Sequence, residues 1–225
     1  MTNTAAPRPW EDCSLAANGQ SIKNNFDSWM AGSVARNPNG TAVVVFRGDA
    51  KPFDDFDGRR EPGIFFSVEP ERATYYGPVR EYCLRVQNPI DLRDPYALWR
   101  AGDVGKEIIE TLFKDYHDSE ANRESGEPLS LMDMITAIET GSLWQLGGDA
   151  GFRMESWRAL QSLCAENGFD SMIVPDAGEG CGTGIDWVIF DSNNAKCISE
   201  HAGLFKADSN SLTDFEVKPR DQMRL

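Results

Sequence analysis

The chain has 225 residues, of which 40% are hydrophobic, 26% are charged and 10% are aromatic. These proportions are typical of a folded globular protein and exclude a collagen, a coiled coil or a disordered acidic tail. Lys and Arg number 22 against 36 Asp and Glu, so the formal net charge is −14. Because that charge would repel phosphate backbones and anionic lipids, we expect no stable binding to duplex nucleic acid or to a membrane surface.

The sequence contains no stretch of the roughly 18 consecutive apolar residues that a membrane span needs. Its N-terminus, MTNTAAPRPWEDC, lacks the basic-then-apolar order of a signal peptide. We therefore expect a soluble protein that works in a cytoplasm, either in its own cell or in a cell into which it is delivered.

Cysteine and histidine are sparse and scattered. Neither a disulfide framework nor a CxxC metal site is indicated, and the thiols are expected to be reduced and mostly buried. Neither histidine has a Cys or carboxylate neighbour at metal-ligand spacing, so we predict no metal site. The residues concerned are Cys13, Cys83, Cys164, Cys181, Cys197, His117 and His201.

The first half of the chain predicts a helix followed by short strands. Residues 1–20, which include Pro7 and Pro9, are expected to form a loose N-terminal segment before a single domain over 21–225. Apolar residues at helical spacing then predict an amphipathic helix, and β-branched or apolar runs bounded by turn residues predict strands. The elements are a helix at 21–34, strands at 41–46, 64–67 and 82–86, and a short helix at 69–76.

The middle of the chain differs in character. Helical spacing at 96–116 and 129–146, around a polar stretch, predicts a helical insertion over about 96–150. A further helix is expected to end at Asn167-Gly168, and strands follow at 169–174, 185–190 and 196–198. Since strands and helices alternate without a regular βαβ rhythm, the sequence favours the α+β class.

Three polar side chains stand at the end or in the middle of apolar strands: Arg47, Ser67 and Asp186. A buried charge is costly unless it is paired, so each must find a partner or face a cleft. A structural ion pair or exposure at a sheet edge would satisfy that requirement equally well. Gly48 would allow a ligand to approach the main chain, although a single glycine is also an ordinary turn residue.

The order of the motifs is more specific than any one of them. FDSWMAGSVARNPNGTAVVVFRGD, GIFFSVEPERATYYG and YCLRVQNPIDL are followed much later by GFDSMIVPD and DWVIFDSNNAKCIS. This series resembles the ADP-ribosyltransferase-like domains of phage and mobile-element polyvalent proteins, over residues 21–95 and 155–205. The resemblance implies two small antiparallel sheets that form an NAD cleft, a bacterial or phage origin, and an effector or toxin role.

The resemblance also implies roles for individual residues. Arg47 would anchor the adenosine ribose and phosphates of NAD, and an Arg suits bidentate capture of a diphosphate. Gly48 would present its backbone to the nicotinamide carboxamide. Ser67 would bond the nicotinamide-side ribose and orient the acidic residue, and Tyr76, or else Tyr75, would stack on the nicotinamide ring. A tyrosine at a helix end is also a common core or interface residue.

Asp186 falls where most members of that family have Glu. A carboxylate there would stabilise the oxocarbenium-like state that forms as the nicotinamide bond breaks. Asp reaches less far by one methylene, which could cost on the order of 100-fold in rate or leave only NAD binding. Glu179 is the other candidate carboxylate. Gly184 stands two residues before Asp186, so the E-x-E pattern of arginine-directed transferases is absent.

The resemblance therefore implies an enzyme that uses NAD as co-substrate, without a metal, and transfers ADP-ribose to a protein, nucleic acid or small molecule. Arg47, Ser67 and Asp186 are expected to converge on one dinucleotide. Two alternatives stay open. One is a non-catalytic binding module, such as a phage structural or host-interacting protein. The other is an NAD glycohydrolase, in which water is the acceptor.

Overall fold

The computed structural model describes residues 7–49, 63–91, 93, 100, 102–107, 161–175, 185–209, 211 and 213. The helix expected at 129–146 and Glu179 lie outside these residues. Most of the insertion also lies outside them, although 103–107 are helical as expected. Within the described residues the α+β class is confirmed. None of the described helices is long and apolar enough to cross a membrane.

The chain divides into two compact units. The first unit comprises Met1–Phe56, Pro70–Gln87 and Ser192–Leu225, and the second comprises Asp57–Glu69 and Asn88–Asp191. The named helices are α1 (Ile22–Trp29) and α2 (Pro70–Ala73). The strands are β1 (Val44–Gly48), β2 (Ile64–Ser67), β3 (Val79–Leu84), β4 (Pro89–Asp91), β5 (Ser171–Pro175), β6 (Ile185–Ile189) and β7 (Ala195–Cys197).

In the first unit, β3 pairs antiparallel with β1 on one side and with β7 on the other. Ser21 caps the N-terminus of helix α1, and its Oγ accepts a hydrogen bond from the Asn24 N–H at 3.1 Å. This capping bond satisfies one of the helix's orphan donors. The apolar side of α1 packs in a buried cluster with strand residues and with the chain after β7: Phe26, Trp29, Met30, Ala42, Cys83, Ile198 and Phe205.

The ends of β1 and β3 differ from the predicted ones. Ala42, near the start of the expected first strand, instead forms an isolated antiparallel bridge with Arg36. At the other end, pairing with β3 extends β1 as far as Gly48, which lies opposite Val79. The β3 strand accordingly begins three residues before the predicted start at Tyr82. Sequence patterning misses such shifts because the partner strand, more than local propensity, decides where pairing begins.

A buried lysine ties the C-terminal part of the first unit to its sheet. The Lys196 side chain on β7 is fully buried. Its Nζ donates to the carbonyl oxygens of Ser209 at 2.6 Å and Ser211 at 2.7 Å. Burying an ammonium is costly unless its donors are satisfied, so these bonds hold the main chain at Ser209 and at Ser211 on β7.

In the second unit the strand order is β4-β5-β6-β2. The β5–β6 and β6–β2 pairs are antiparallel, but β4 and β5 are parallel, so the expectation of purely antiparallel sheets is wrong here. A parallel pair needs a long crossover, and nearly eighty residues separate β4 from β5. β4 begins at Pro89, directly after Asn88. The Asn88 N–H donates to Asp170 Oδ1 at 3.2 Å just before β5.

A helical segment at 161–166 covers one face of these strands and ends at Asn167-Gly168, as predicted. Gly168 has φ +83°, the left-handed conformation that glycine adopts readily at a helix C-terminus. The apolar residues beneath form the core of the second unit. They are Ile90, Cys164, Met172, Val174 and Val188, with Phe65, Leu163 and Phe169 packed against them.

Burial of two thiols makes stability depend on pH. Desolvation raises the pKa of Cys83 and of Cys164 from 9.0 to about 12. Above pH 9 the unfolded chain releases these protons while the folded chain keeps them, so the free energy of unfolding falls as pH rises toward 12. The buried Tyr82 hydroxyl, whose pKa is also raised by burial, acts in the same direction.

We predict that the urea concentration at the unfolding midpoint of the reduced protein decreases as the pH is raised from 8 to 10.5. Cys164→Ala should weaken this pH dependence, whereas Cys13→Ala should leave it unchanged because Cys13 is exposed. A midpoint that stays constant over this range would contradict the prediction.

Candidate functional site

The second unit brings Ser67 and Asp186 together. In the antiparallel β2–β6 pair, Ser67 lies directly opposite Asp186. Directly opposed residues point to the same face of a sheet, with Cβ atoms about 5 Å apart. The pairing continues past the end of β2, where the Val68 N–H donates to the Ile185 carbonyl at 3.1 Å. The hydroxyl and the carboxylate that the sequence predicts as partners are therefore neighbours.

The surroundings of this pair are largely apolar. Val174 on β5 lies opposite Asp186 on its other side. One step further along the same face, Phe65 lies opposite Val188. These apolar neighbours belong to the core of the second unit. A carboxylate at the edge of such a core acts on a bound charge through a lower local dielectric than in water, which strengthens the interaction.

A local turn fixes the Ser67 hydroxyl. Its Oγ accepts a hydrogen bond from the Glu69 N–H at 3.1 Å, and the Ser67 side chain is buried. A hydroxyl that accepts one bond still has its own proton to donate. The geometry thus gives Ser67 a defined position from which it can donate toward a carboxylate or a ligand oxygen.

The first unit holds Arg47 and Gly48 at the end of β1. The Arg47 Nε donates to Asp49 Oδ1 at 3.0 Å, and these side chains are 12% and 13% exposed. A local carboxylate two residues away therefore pairs with Arg47. The sequence analysis did not single out Asp49, although the Arg-Gly-Asp order places it within reach.

Gly48 makes a close backbone contact. A Cβ at this position would lie 1.9 Å from the Ala73 carbonyl oxygen and 3.0 Å from that of Gly77. No side chain fits there unless the backbone moves. Gly48 therefore allows α2 and the turn after it to pack directly against the end of β1.

The predicted helix at 69–76 is two elements: α2 and a 3₁₀ turn over Thr74–Tyr76 that ends at Gly77. Tyr75 and Tyr76 on this turn are 78% and 71% exposed. Neither is a core residue, so the core alternative is wrong for both, and the interface alternative stays open. Their rings are accessible for stacking on a planar ligand.

Sequence reasoning missed Arg80, which lies directly opposite Arg47 across the β1–β3 pair. The third strand was predicted to start at Tyr82, which left Arg80 outside it. The Arg80 side chain is 16% exposed, and its Nη2 lies 3.3 Å from Glu200 Oε2. Burial lowers the pKa of Arg80, but the hydrogen bond to Tyr82 and the charge of Glu200 raise it more, so this guanidinium stays cationic.

The candidate residues thus form two groups. Ser67 and Asp186 are neighbours in the second unit, and Arg47 and Gly48 lie at the end of β1 in the first unit, with the Tyr75–Tyr76 turn packed at Gly48. The expectation that all of them surround one dinucleotide stays a prediction. Among the described residues, no group of three or more His, Cys, Asp or Glu side chains could hold a metal ion.

Comparison with known proteins places the chain in no family. No protein-family model matches the sequence, and no curated protein matches it significantly. A crystal structure of an anti-CRISPR protein matches with a TM-score of 0.33 and 12% identity, over 65% of this chain and 88% of that one. A TM-score this low does not establish a shared fold.

The close contact at Gly48 predicts a large cost for a single methyl group. Gly48→Ala should lower the free energy of unfolding by about 3 kcal/mol, because the backbone of Ala73 must move. The matched control is Gly40→Ala, where φ is +85° but nothing lies within 4 Å of the added Cβ. That variant should lose only the conformational strain, about 1 kcal/mol. Equal losses in urea unfolding would contradict the steric account.

Proposed function

We propose that this protein is an NAD-dependent ADP-ribosyltransferase, which moves ADP-ribose from NAD to an acceptor and releases nicotinamide. The observation that supports the proposal most is the pairing of Ser67 with Asp186 across β2 and β6. The resemblance in sequence requires a hydroxyl that orients a carboxylate. These two residues come from segments more than a hundred positions apart, so their pairing is not a consequence of local sequence.

In the proposed reaction, the bond between C1′ of the ribose and the nicotinamide nitrogen breaks, and its electron pair leaves with nicotinamide. Positive charge develops on the ribose ring. The Asp186 carboxylate stabilises that charge and accepts a hydrogen bond from the ribose 2′-hydroxyl. The acceptor then forms a bond to C1′ and loses a proton. Ser67 orients the carboxylate and bonds the ribose.

Other residues supply the binding groups in this proposal. Arg47 holds the diphosphate through charge-assisted hydrogen bonds. The backbone at Gly48 bonds the nicotinamide carboxamide. Tyr76, or Tyr75 beside it, stacks on the nicotinamide ring, and the exposure of both rings is compatible with that role. NAD is the co-substrate, and no step requires a metal.

Asp186 should be essential for nicotinamide release. Asp186→Asn keeps the size of the side chain and removes its charge, so the rate should fall at least about 100-fold. Asp186→Glu, which restores the residue most common in the resembling family, should keep or raise the rate. The rate is measured as nicotinamide released from NAD by purified protein, by chromatography.

Asp208→Asn is the matched control, because Asp208 is exposed and the charge change is the same. It should leave the rate unchanged. An assay with labelled NAD distinguishes transfer from hydrolysis. Label on a macromolecule indicates transfer, and free ADP-ribose indicates hydrolysis. Folded Asp186→Asn with an unaltered rate, or no nicotinamide release by the unmodified protein with any acceptor fraction, would overturn the proposal.

A further inference from the structure

Two arginines lie directly opposite each other in the first unit. Arg47 on β1 pairs in register with Arg80 on β3, so both side chains project from the same face of the sheet. Like charges in directly opposed positions destabilise a sheet. Both side chains are also largely buried, at 12% and 16% exposure, which adds a desolvation cost. Such a pair requires negative charge close by.

Among the described residues, Asp49 and Glu200 supply negative charge to these arginines, and they differ in their setting. Asp49 is as buried as Arg47 and follows it closely in the chain, at 13% exposure. Glu200 is 51% exposed and reaches Arg80 through a contact of 3.3 Å. A half-exposed ion pair contributes little to stability. Asp49 is therefore a fixed partner, whereas Glu200 is one that a stronger anion can replace.

The position of Arg80 is fixed by its strand. Its main chain is in register with Arg47 on β1, and Tyr82, the next residue on the same face of β3, is fully buried. Two adjacent, positioned guanidinium groups suit the two phosphates of a diphosphate better than a single carboxylate, because each can bind phosphate oxygens bidentately.

We propose that Arg80 is a second diphosphate-binding residue beside Arg47, and that Glu200 occupies its position as an internal competitor. The ligand class is a nucleoside diphosphate or the diphosphate part of a dinucleotide. Binding exchanges the Arg80–Glu200 contact for one between Arg80 and a phosphate, and Glu200 moves into solvent. The inference rests on the proposed function in one respect, the diphosphate role given to Arg47.

The test uses ADP as the probe, because it carries the diphosphate without the nicotinamide ribose. Titration calorimetry on the full chain at fixed ionic strength measures its Kd. Glu200→Gln should lower the Kd about threefold or more, because the competitor loses its charge. Arg80→Gln should raise it about tenfold. Inorganic pyrophosphate should follow the same pattern, and orthophosphate should bind much more weakly.

The first unit offers matched controls in Arg8 and Glu81, an ion pair formed on the neighbouring residue of β3. Glu81→Gln and Arg8→Gln make the same charge changes and should leave the Kd unaltered. Equal effects of Glu81→Gln and Glu200→Gln would show that net charge alone changes the Kd for ADP, and would overturn the inference. So would an unaltered Kd in folded Arg80→Gln, or in Arg80→Lys if the glutamine variant does not fold. Orthophosphate that binds as well as ADP would also overturn it.

These outcomes are independent of catalysis. Nicotinamide release with no effect of Arg80 or Glu200 on ADP binding would reject the inference and leave the proposed function standing. The predicted ADP pattern without nicotinamide release would support the diphosphate site and reject the enzyme.

Discussion

The proposed site depends on one register, the pairing of β2 with β6 that sets Ser67 opposite Asp186. A shift of one residue in an antiparallel pair moves every side chain of the strand to the other face. Here both faces restrain the register, because Phe66 and Trp187 are buried on one face while Phe65 and Val188 pack with the core on the other. The apolar packing of the second unit thus holds a hydroxyl beside a carboxylate, and the proposed glycosidic chemistry requires that neighbourhood.

The candidate residues of the first unit are constrained by steric and electrostatic effects. Position 48 accepts only glycine for steric reasons, because a backbone carbonyl lies where a side chain would be. Arg47 and Arg80 are constrained by electrostatics, because two directly opposed guanidinium groups require anions close by. The exposed tyrosines on the turn after α2 contribute apolar surface with little packing of their own. The proposed diphosphate site at Arg47 and Arg80 belongs to the same unit as these exposed rings, and that combination would suit a nucleotide in a chain whose overall negative charge would otherwise repel one.

Local sequence patterns predicted individual helices and strands better than they predicted which strands pair. The apolar run Ile64–Ser67 and the glycine that ends the helix at Gly168 carry their own signals, and both predictions are confirmed. The parallel β4–β5 pair and the early start of β3 depend on contacts that spacing along the chain does not encode. Arg80 was missed for the same reason, because only the register with β1 makes it a neighbour of Arg47. The pairing of Ser67 with Asp186 was anticipated through the resemblance, not through periodicity.

The most direct measurement is a crystal structure of the protein with NAD, or with an unreactive NAD analogue, bound. The account predicts that an Asp186 carboxylate oxygen lies about 3 Å from the 2′-hydroxyl of the nicotinamide ribose, within hydrogen-bonding distance. It also predicts that Ser67 lies beside the same ribose. A dinucleotide bound elsewhere, with Asp186 in contact only with protein, would contradict the central claim.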